Sequence, residues 1–233
     1  MEGTMDKKEL AGKIQFTDVN PDLTREGIVR HLEACMELGV QAAMISPCWV
    51  PLAKEMLQGT GIKIATTVNF PQATDTPEMK AAVIPLLARM GADEFDFPPN
   101  PALLLSGMQD AYAEEIALVV RVAHDHGLVV KAMLEFGYLK DRGMKIDAVR
   151  LSSQAGVDWA KNSSGWGKGG SPATVEDIAL LKEYVIPPCR VKASGKVNSM
   201  AKALAILESG AELIGTSSAR EILLGGEGSK DNY

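Results

Sequence analysis

Gly127-Leu128-Val129-Val130-Lys131-Ala132-Met133 begins where an amphipathic stretch ends, with one glycine separating that stretch from a short apolar run. A glycine just past a helix can take the left-handed conformation that closes it. The chain then drops directly into a strand, which is the αβ half of a βαβ unit. The same pattern recurs outward in both directions. It stands at Gly39 before Val-Gln-Ala-Ala-Met-Ile, at Gly61 before Ile-Lys-Ile-Ala-Thr and at Gly91 before Ala-Asp-Glu-Phe-Asp-Phe. It returns at Gly156 before Val-Asp-Trp-Ala-Lys and at Gly210 before Ala-Glu-Leu-Ile-Gly-Thr.

With the opening run 13–19 and the run 190–194, the chain offers about eight strands, the number a closed parallel barrel needs. Helix starts agree. Thr76-Pro77-Glu78 sets a cap before a proline at the first helical position, and Thr174-Val175-Glu176-Asp177 has capping-box spacing. The expected fold is one (β/α)₈ barrel over residues 1–233, with a short flexible tail from about residue 225. A doubly wound sheet is the second reading, but it would use fewer strands at this length and leave apolar edges to cover.

Composition bounds the partners. The chain has 233 residues, 46% of them hydrophobic, enough for one sizeable core. A net charge of -6 argues against a nucleic-acid or anionic-membrane surface. Cys35, Cys48 and Cys189 are odd in number and lack zinc-type spacing, which suits free thiols in a reducing compartment. The polar first residues and the absence of a long apolar run point to the cytoplasm.

Strands enclosed on both faces normally read as unbroken apolar runs. Four consecutive strands break that rule, with Asp96, Lys131, Lys161 and Lys192. Isolated buried charges are costly unless paired or neutralised, and three lysines cannot all pair with one carboxylate. The bland alternative is that each lysine reaches a rim, or that the strand parity is off by one residue. If the charges do point inward, two ammonium groups about 4 Å apart repel by roughly 4 kcal/mol at an effective dielectric of ~20. That would bring one lysine from near 10.4 down by up to about three pH units, leaving it largely neutral close to pH 7. A neutral amine in a pocket is a nucleophile for carbonyls. Lys161 and Lys192, on adjacent strands, are the pair in question, and Asp96 with Lys131 can move protons through water.

A phosphorylated substrate needs backbone donors, which barrels place in the loops after late strands. The candidates are Gly167, Lys168, Gly169 and Gly170, then Ser194, Gly195 and Lys196, then Gly215, Thr216, Ser217 and Ser218. The run Gly165-Trp-Gly-Lys-Gly-Gly170 also fits a dinucleotide fingerprint, but the next strand, Arg-Val-Lys-Ala-Ser, lacks the acidic residue that would bind a ribose. His124 and His126 sit at a helix end, where the dipole favours them, and further metal ligands are not evident.

Val157-Asp158-Trp159-Ala160-Lys161-Asn162-Ser163-Ser164-Gly165, then Gly-Gly-Ser-Pro-Ala-Thr-Val-Glu-Asp, Val-Lys192-Ala-Ser-Gly and Ile-Gly-Thr-Ser-Ser resemble the deoxyribose-phosphate aldolases. So do Ser46-Pro47-Cys48-Trp49-Val50-Pro51, Val68-Asn69-Phe70-Pro71 and Gly91-Ala-Asp-Glu-Phe-Asp96, all in one order from about residue 16 to 224. The resemblance implies reversible joining of acetaldehyde to glyceraldehyde 3-phosphate, without metal or organic cofactor, and often a homo-oligomer. It implies Lys161 as the Schiff-base lysine, Lys192 as the second lysine that keeps it proton-free, and Asp96 with Lys131 as a proton relay. Asp18 and Cys48 match positions lining the family's pocket, and Tyr233 matches a terminal tyrosine that assists proton transfer.

Three departures bear on the substrate. The family's Asp is followed by roughly His-Thr-Leu-Leu-Lys-Pro before its next Asp, whereas Asp18 is followed by Val19-Asn20-Pro21, about three residues shorter. After Asp96 comes Phe97-Pro98-Pro99-Asn100-Pro101 in place of apolar residues, and a Ser-Gly-Gly with a following Arg becomes Ser194-Gly195-Lys196-Val197-Asn198. Lys196 is expected to supply charge in place of that Arg. The alternatives are a same-family aldolase with another small phosphorylated or keto substrate, and a barrel isomerase, epimerase or non-catalytic sugar-phosphate binder.

Overall fold

In a computed structural model, residues 5–139 and 141–225 are described. Eight parallel strands close into a barrel in sequence order: β1 (Ile14–Asp18), β2 (Ala42–Ile45), β3 (Lys63–Thr67), β4 (Glu94–Phe97), β5 (Val129–Met133), β6 (Trp159–Lys161), β7 (Arg190–Ser194) and β8 (Leu213–Thr216). β1 pairs with both β2 and β8, which completes the ring and rules out the doubly wound sheet. Each run expected to be a strand is one.

The helices are α1 (Lys7–Ala11), α2 (Arg25–Leu38), α3 (Val50–Met56), α4 (Pro77–Met90), α5 (Pro101–Leu105), α6 (Gln109–Asp125), α7 (Arg142–Gln154), α8 (Val175–Tyr184), α9 (Met200–Glu208) and α10 (Ala219–Leu224). Their boundaries follow local chemistry. Thr76 accepts from Met79 N at 3.3 Å to start α4, and Thr174 accepts from Asp177 N at 3.1 Å to start α8. Gly39 (φ 64°) and Gly91 (φ 106°) close α2 and α4 in the left-handed conformation. The proline-rich run after Asp96 ends β4 and opens α5, with Asn100 Oδ1 capping Ala102 N at 3.0 Å. None of the described helices is long and apolar enough to cross a membrane.

Strand parity divides the core into two layers. Ala43, Ile45, Phe95, Phe97, Val130, Ala132, Ala160, Val191, Ala193 and Ile214 face outward into one large apolar cluster shared with the helices. The alternate residues face into the barrel. There only Val19, Ala42, Met44 and Ala65, with Phe70 and Trp166 against them, make a small apolar cluster. Polar side chains share the lumen with Met133, Trp159 and Leu213: Gln15, Glu94, Asp96, Lys131, Lys161 and Lys192 are all buried. The parity on which the site depends is therefore correct, and neither Lys131 nor Lys192, both 0% exposed, reaches a rim.

Candidate active site

Asp96, near the end of β4, is fully buried and gathers the lysines. Lys161 Nζ donates to its Oδ2 at 2.9 Å and Lys192 Nζ to the same oxygen at 2.7 Å. The strand register supports this, since Lys161 is the direct partner of Lys192. Lys131, one strand away, lies 3.3 Å from Asp96 Oδ1 and pairs with Glu94 Oε2. Two carboxylates therefore face three ammonium groups, so the surplus positive charge is smaller than one carboxylate would leave. Asp96 Oδ1 is buried and has no hydrogen-bond partner.

Burial alone would raise the Asp96 carboxyl, but Lys161, Lys192 and Lys131 together outweigh it and hold Asp96 well below the usual carboxylate range. Burial also tends to lower Lys131, yet Glu94 and Asp96 keep it above its ordinary value and protonated. Lys192 goes the other way. Burial pushes its ammonium well below the lysine range, Lys161 and Lys131 add to the effect, and Asp96 opposes it. The sequence leads one to expect mutual repulsion as the main force; at Lys192 repulsion does contribute, but it is not the first cause. Desolvation is the larger cause, and it acts on Lys192 itself.

A small cavity of about 20 Å³ opens above this cluster, lined by Thr17, Val19, Met44, Thr67, Phe70, Asp96, Met133, Lys161, Ser164, Ser194 and Gly215. Lys161 is the one lysine among the described residues on that lining. Its side chain is 8% exposed, against 1% for Lys192 and 0% for Lys131. Gly215 matters because a Cβ there would meet Lys192 Cε at 3.2 Å. It makes room for the lysine as well as lining the cavity.

The residues after Lys161 lock the neighbouring strand ends together. Asn162 Nδ2 donates to Ser194 O at 3.0 Å, and Ser194 N donates back to Asn162 Oδ1 at 2.9 Å. Ser194 Oγ donates to Ser163 O at 2.9 Å, and Ser163 Oγ to Ser171 O at 2.6 Å. The three candidate phosphate loops are brought side by side. Ala173 N donates to Gly195 O at 2.9 Å, and Thr216 Oγ1 donates to Val197 O at 2.6 Å. Ser218 N in turn donates to Thr216 Oγ1 at 2.9 Å. Gly167 and Lys168 are exposed, Gly169 is buried and Gly170 and Ser217 are half-buried. Lys196 is exposed, in a left-handed conformation (φ 53°), and its carbonyl accepts from Lys202 Nζ.

Two expected pocket residues are displaced. Asp18 does not line the cavity, where Thr17 and Val19 do, because strand parity turns it away. Its Oδ1 accepts instead from Asn20 Nδ2 at 2.9 Å. Cys48, in a 3₁₀ turn after β2, is exposed and also absent from the lining. Tyr233 and the tail beyond Gly225 lie outside the described residues. The histidines are engaged elsewhere: His124 Nε2 lies 3.0 Å from Asp158 Oδ2 and His126 Nδ1 lies 2.9 Å from Val122 O.

Gln15 stands where Asp18 was expected. Lys192 Nζ donates to its Oε1 at 2.5 Å, while its Nε2 donates to Gln41 Oε1 at 2.8 Å and Glu94 Oε2 at 2.9 Å. Sequence reading also passed over Glu94, Gln41 and Asn162. For Gln15 and Glu94 the signal was present: each lies two residues before a lumen-facing residue on its own strand, hence on the same face.

A cavity at the C-terminal mouth of a parallel barrel, with charged side chains gathered beneath it, is where enzymes of this fold carry their active sites. No family model matches the chain. It is 40% identical over 215 residues to the deoxyribose-phosphate aldolase of Caldanaerobacter subterraneus subsp. tengcongensis, covering 92% of each chain. It is 36% identical over 223 residues to that of Thermococcus kodakarensis, covering 95% of this chain and 98% of the relative. Among solved structures, a tetrameric deoxyribose phosphate aldolase from Aeropyrum pernix superposes with a TM-score of 0.85 at 27% identity, over 94% of this chain and 91% of that one. The chain belongs to the deoxyribose-phosphate aldolase family.

Proposed function

We propose that this chain is a class I aldolase that cleaves 2-deoxyribose 5-phosphate reversibly to acetaldehyde and glyceraldehyde 3-phosphate, with Lys161 as the imine-forming residue. One observation carries the reading: of the three lysines gathered around Asp96, Lys161 is the one that lines the cavity. Lys161 Nζ attacks the aldehyde carbon C1 of the open-chain sugar, and loss of water leaves a protonated imine. A base takes the proton of the C3 hydroxyl as the C2–C3 bond breaks. Its electron pair moves to the imine nitrogen, giving an enamine and releasing glyceraldehyde 3-phosphate. Protonation of the enamine at C2 and hydrolysis of the resulting imine release acetaldehyde and restore the amine.

The neighbours make the first step possible at neutral pH. Lys161 and Lys192 share Asp96 Oδ2, so Lys192, whose ammonium burial disfavours, can exchange protons with its neighbour through that oxygen. Lys131, which stays charged, adds to the field that disfavours the Lys192 ammonium. Asp96 Oδ1, whose one close charge is Lys131 at 3.3 Å and which makes no hydrogen bond, is the acceptor for a water that relays protons between substrate and cluster. The loops through Gly169, Gly195 and Ser217 hold the phosphate, with Lys196 contributing charge.

A homo-oligomer is part of this reading, supported by the tetrameric Aeropyrum pernix relative and by the exposed Met79, Val83 and Leu86 on one face of α4. A cytoplasmic setting fits three free cysteines. The reading is tested by following release of glyceraldehyde 3-phosphate from 2-deoxyribose 5-phosphate. Turnover by the native chain, with a loss on the order of 10³-fold or more in Lys161→Ala, is expected. Turnover undiminished in that variant would exclude Lys161 as nucleophile.

A further inference from the structure

Glu135 follows β5 and is 2% exposed; it feels the Lys161 charge, but its hydrogen bond runs to Ser164 and not to the lysine cluster. Its backbone is left-handed (φ 50°), a conformation rare for such a residue and retained only when the surroundings impose it. The surroundings do so through two loops bonded to each other. Phe136 N donates to Asn162 O at 3.0 Å, and Gly137 N donates to Gly169 O at 3.1 Å. Across this seam Glu135 Oε1 accepts from Ser164 N at 2.9 Å. Glu135 Oε2 is buried with no hydrogen-bond partner, and it lies against Gly169, where an added Cβ would come within 2.8 Å of it.

We infer that Glu135 is a positioning residue: its carboxyl latches the loop that follows Lys161 and, by gaining or losing one proton, changes how that loop holds a phosphate. This rests on the reading of the Gly169 loop as part of the phosphate site. An ionised Oε2 is a desolvated negative charge with no donor, set against a loop that must receive a dianion. A protonated Oε2 removes that repulsion and leaves Oε1 free to keep Ser164 N. Burial raises this carboxyl to about 7, with Ser164 and the Lys161 charge pulling it back, so both forms are populated near neutrality. The charged and titratable groups around it are Lys161 on β6, Lys168 in the latched loop, Tyr138 beside Gly169, and the Lys145–Asp177 pair next to the Phe136 ring.

Trp166 lies in the latched loop and reports on it without any turnover. In a variant with Trp49 and Trp159 changed to Phe, Trp166 fluorescence should titrate near neutral pH. Inorganic phosphate should move the midpoint upward, since phosphate binding takes up a proton. Glu135→Gln, which keeps the size and the acceptor for Ser164 N, should abolish the titration while leaving the circular dichroism spectrum unchanged. In the same variant the KM for the phosphorylated sugar should lose its pH dependence. In the native chain that KM rises by up to about tenfold per pH unit above the midpoint, with kcat little changed. A titration that survives in Glu135→Gln, or a native loop that shows none, would overturn the inference. Absence of turnover with the titration intact would count against the proposed reaction and leave the latch standing.

Discussion

Gln15, Lys192, Asp96 and Lys161 form one hydrogen-bonded chain, in which a neutral amide stands beside Lys192. An amide oxygen orients the Lys192 amine without adding negative charge, so it does little to offset the burial that drives the proton off. Gln15→Glu would put a carboxylate beside Lys192 and restore its proton. The acid limb of kcat/KM against pH should then move to higher pH, costing about tenfold in rate at neutral pH for each unit moved. An unmoved limb would show that Lys192 does not set the charge of the pair. Lys161 was legible in the sequence because an inward charge breaks an apolar strand. Gln15 was hidden because an acid was sought at that point, and the nearest one, Asp18, lies on the wrong face. Glu135 was illegible for another reason: a non-glycine residue in left-handed backbone leaves no local mark in composition or spacing.

The loops after β3 and β4 at the mouth of the barrel are held from beneath by one ion pair between α4 and α6. Lys80 Nζ donates to Glu115 Oε1 at 2.5 Å, to Ala73 O at 2.8 Å and to Pro98 O at 3.1 Å, and Glu115 also accepts from Asn100 N at 3.1 Å. Both side chains are buried. Removing one partner strands the other charge, so Glu115→Leu or Lys80→Met should each cost about 3–5 kcal/mol in urea unfolding. The double variant should recover much of that loss, because an apolar pair of similar volume avoids the desolvation of both charges. Additive losses would mean that the two side chains act separately. The helices joined by this pair were readable from caps and glycines. The pair was not, since nothing along the chain links residue 80 to residue 115, and only the packing of α4 on α6 brings them together.

At the scale of the whole molecule, a barrel filled with charge should be sensitive to pH, and Glu135 gives that sensitivity a sign. Its folded value, about 7, is raised from 4.5. The stability it contributes is therefore fully present below the unfolded value and is lost as pH rises through 7, by up to ~3 kcal/mol. Glu135→Gln should erase that loss, so the variant's advantage over the native chain should grow between pH 5 and pH 8 in thermal or urea unfolding. A constant difference across that range would contradict the assignment. The barrel itself was legible because six glycine-punctuated strands and two further apolar runs admit few other closures. The union of the three candidate phosphate loops was not, since it rests on side-chain bridges such as Asn162 to Ser194 that only the closed ring creates. The central claim is that an amine at position 161 becomes covalently joined to the substrate carbonyl. Borohydride reduction in the presence of acetaldehyde, followed by peptide mass spectrometry, tests it directly. The account predicts a reduced adduct on Lys161, absent from Lys131 and Lys192. An adduct on another lysine, or none at all, would contradict it.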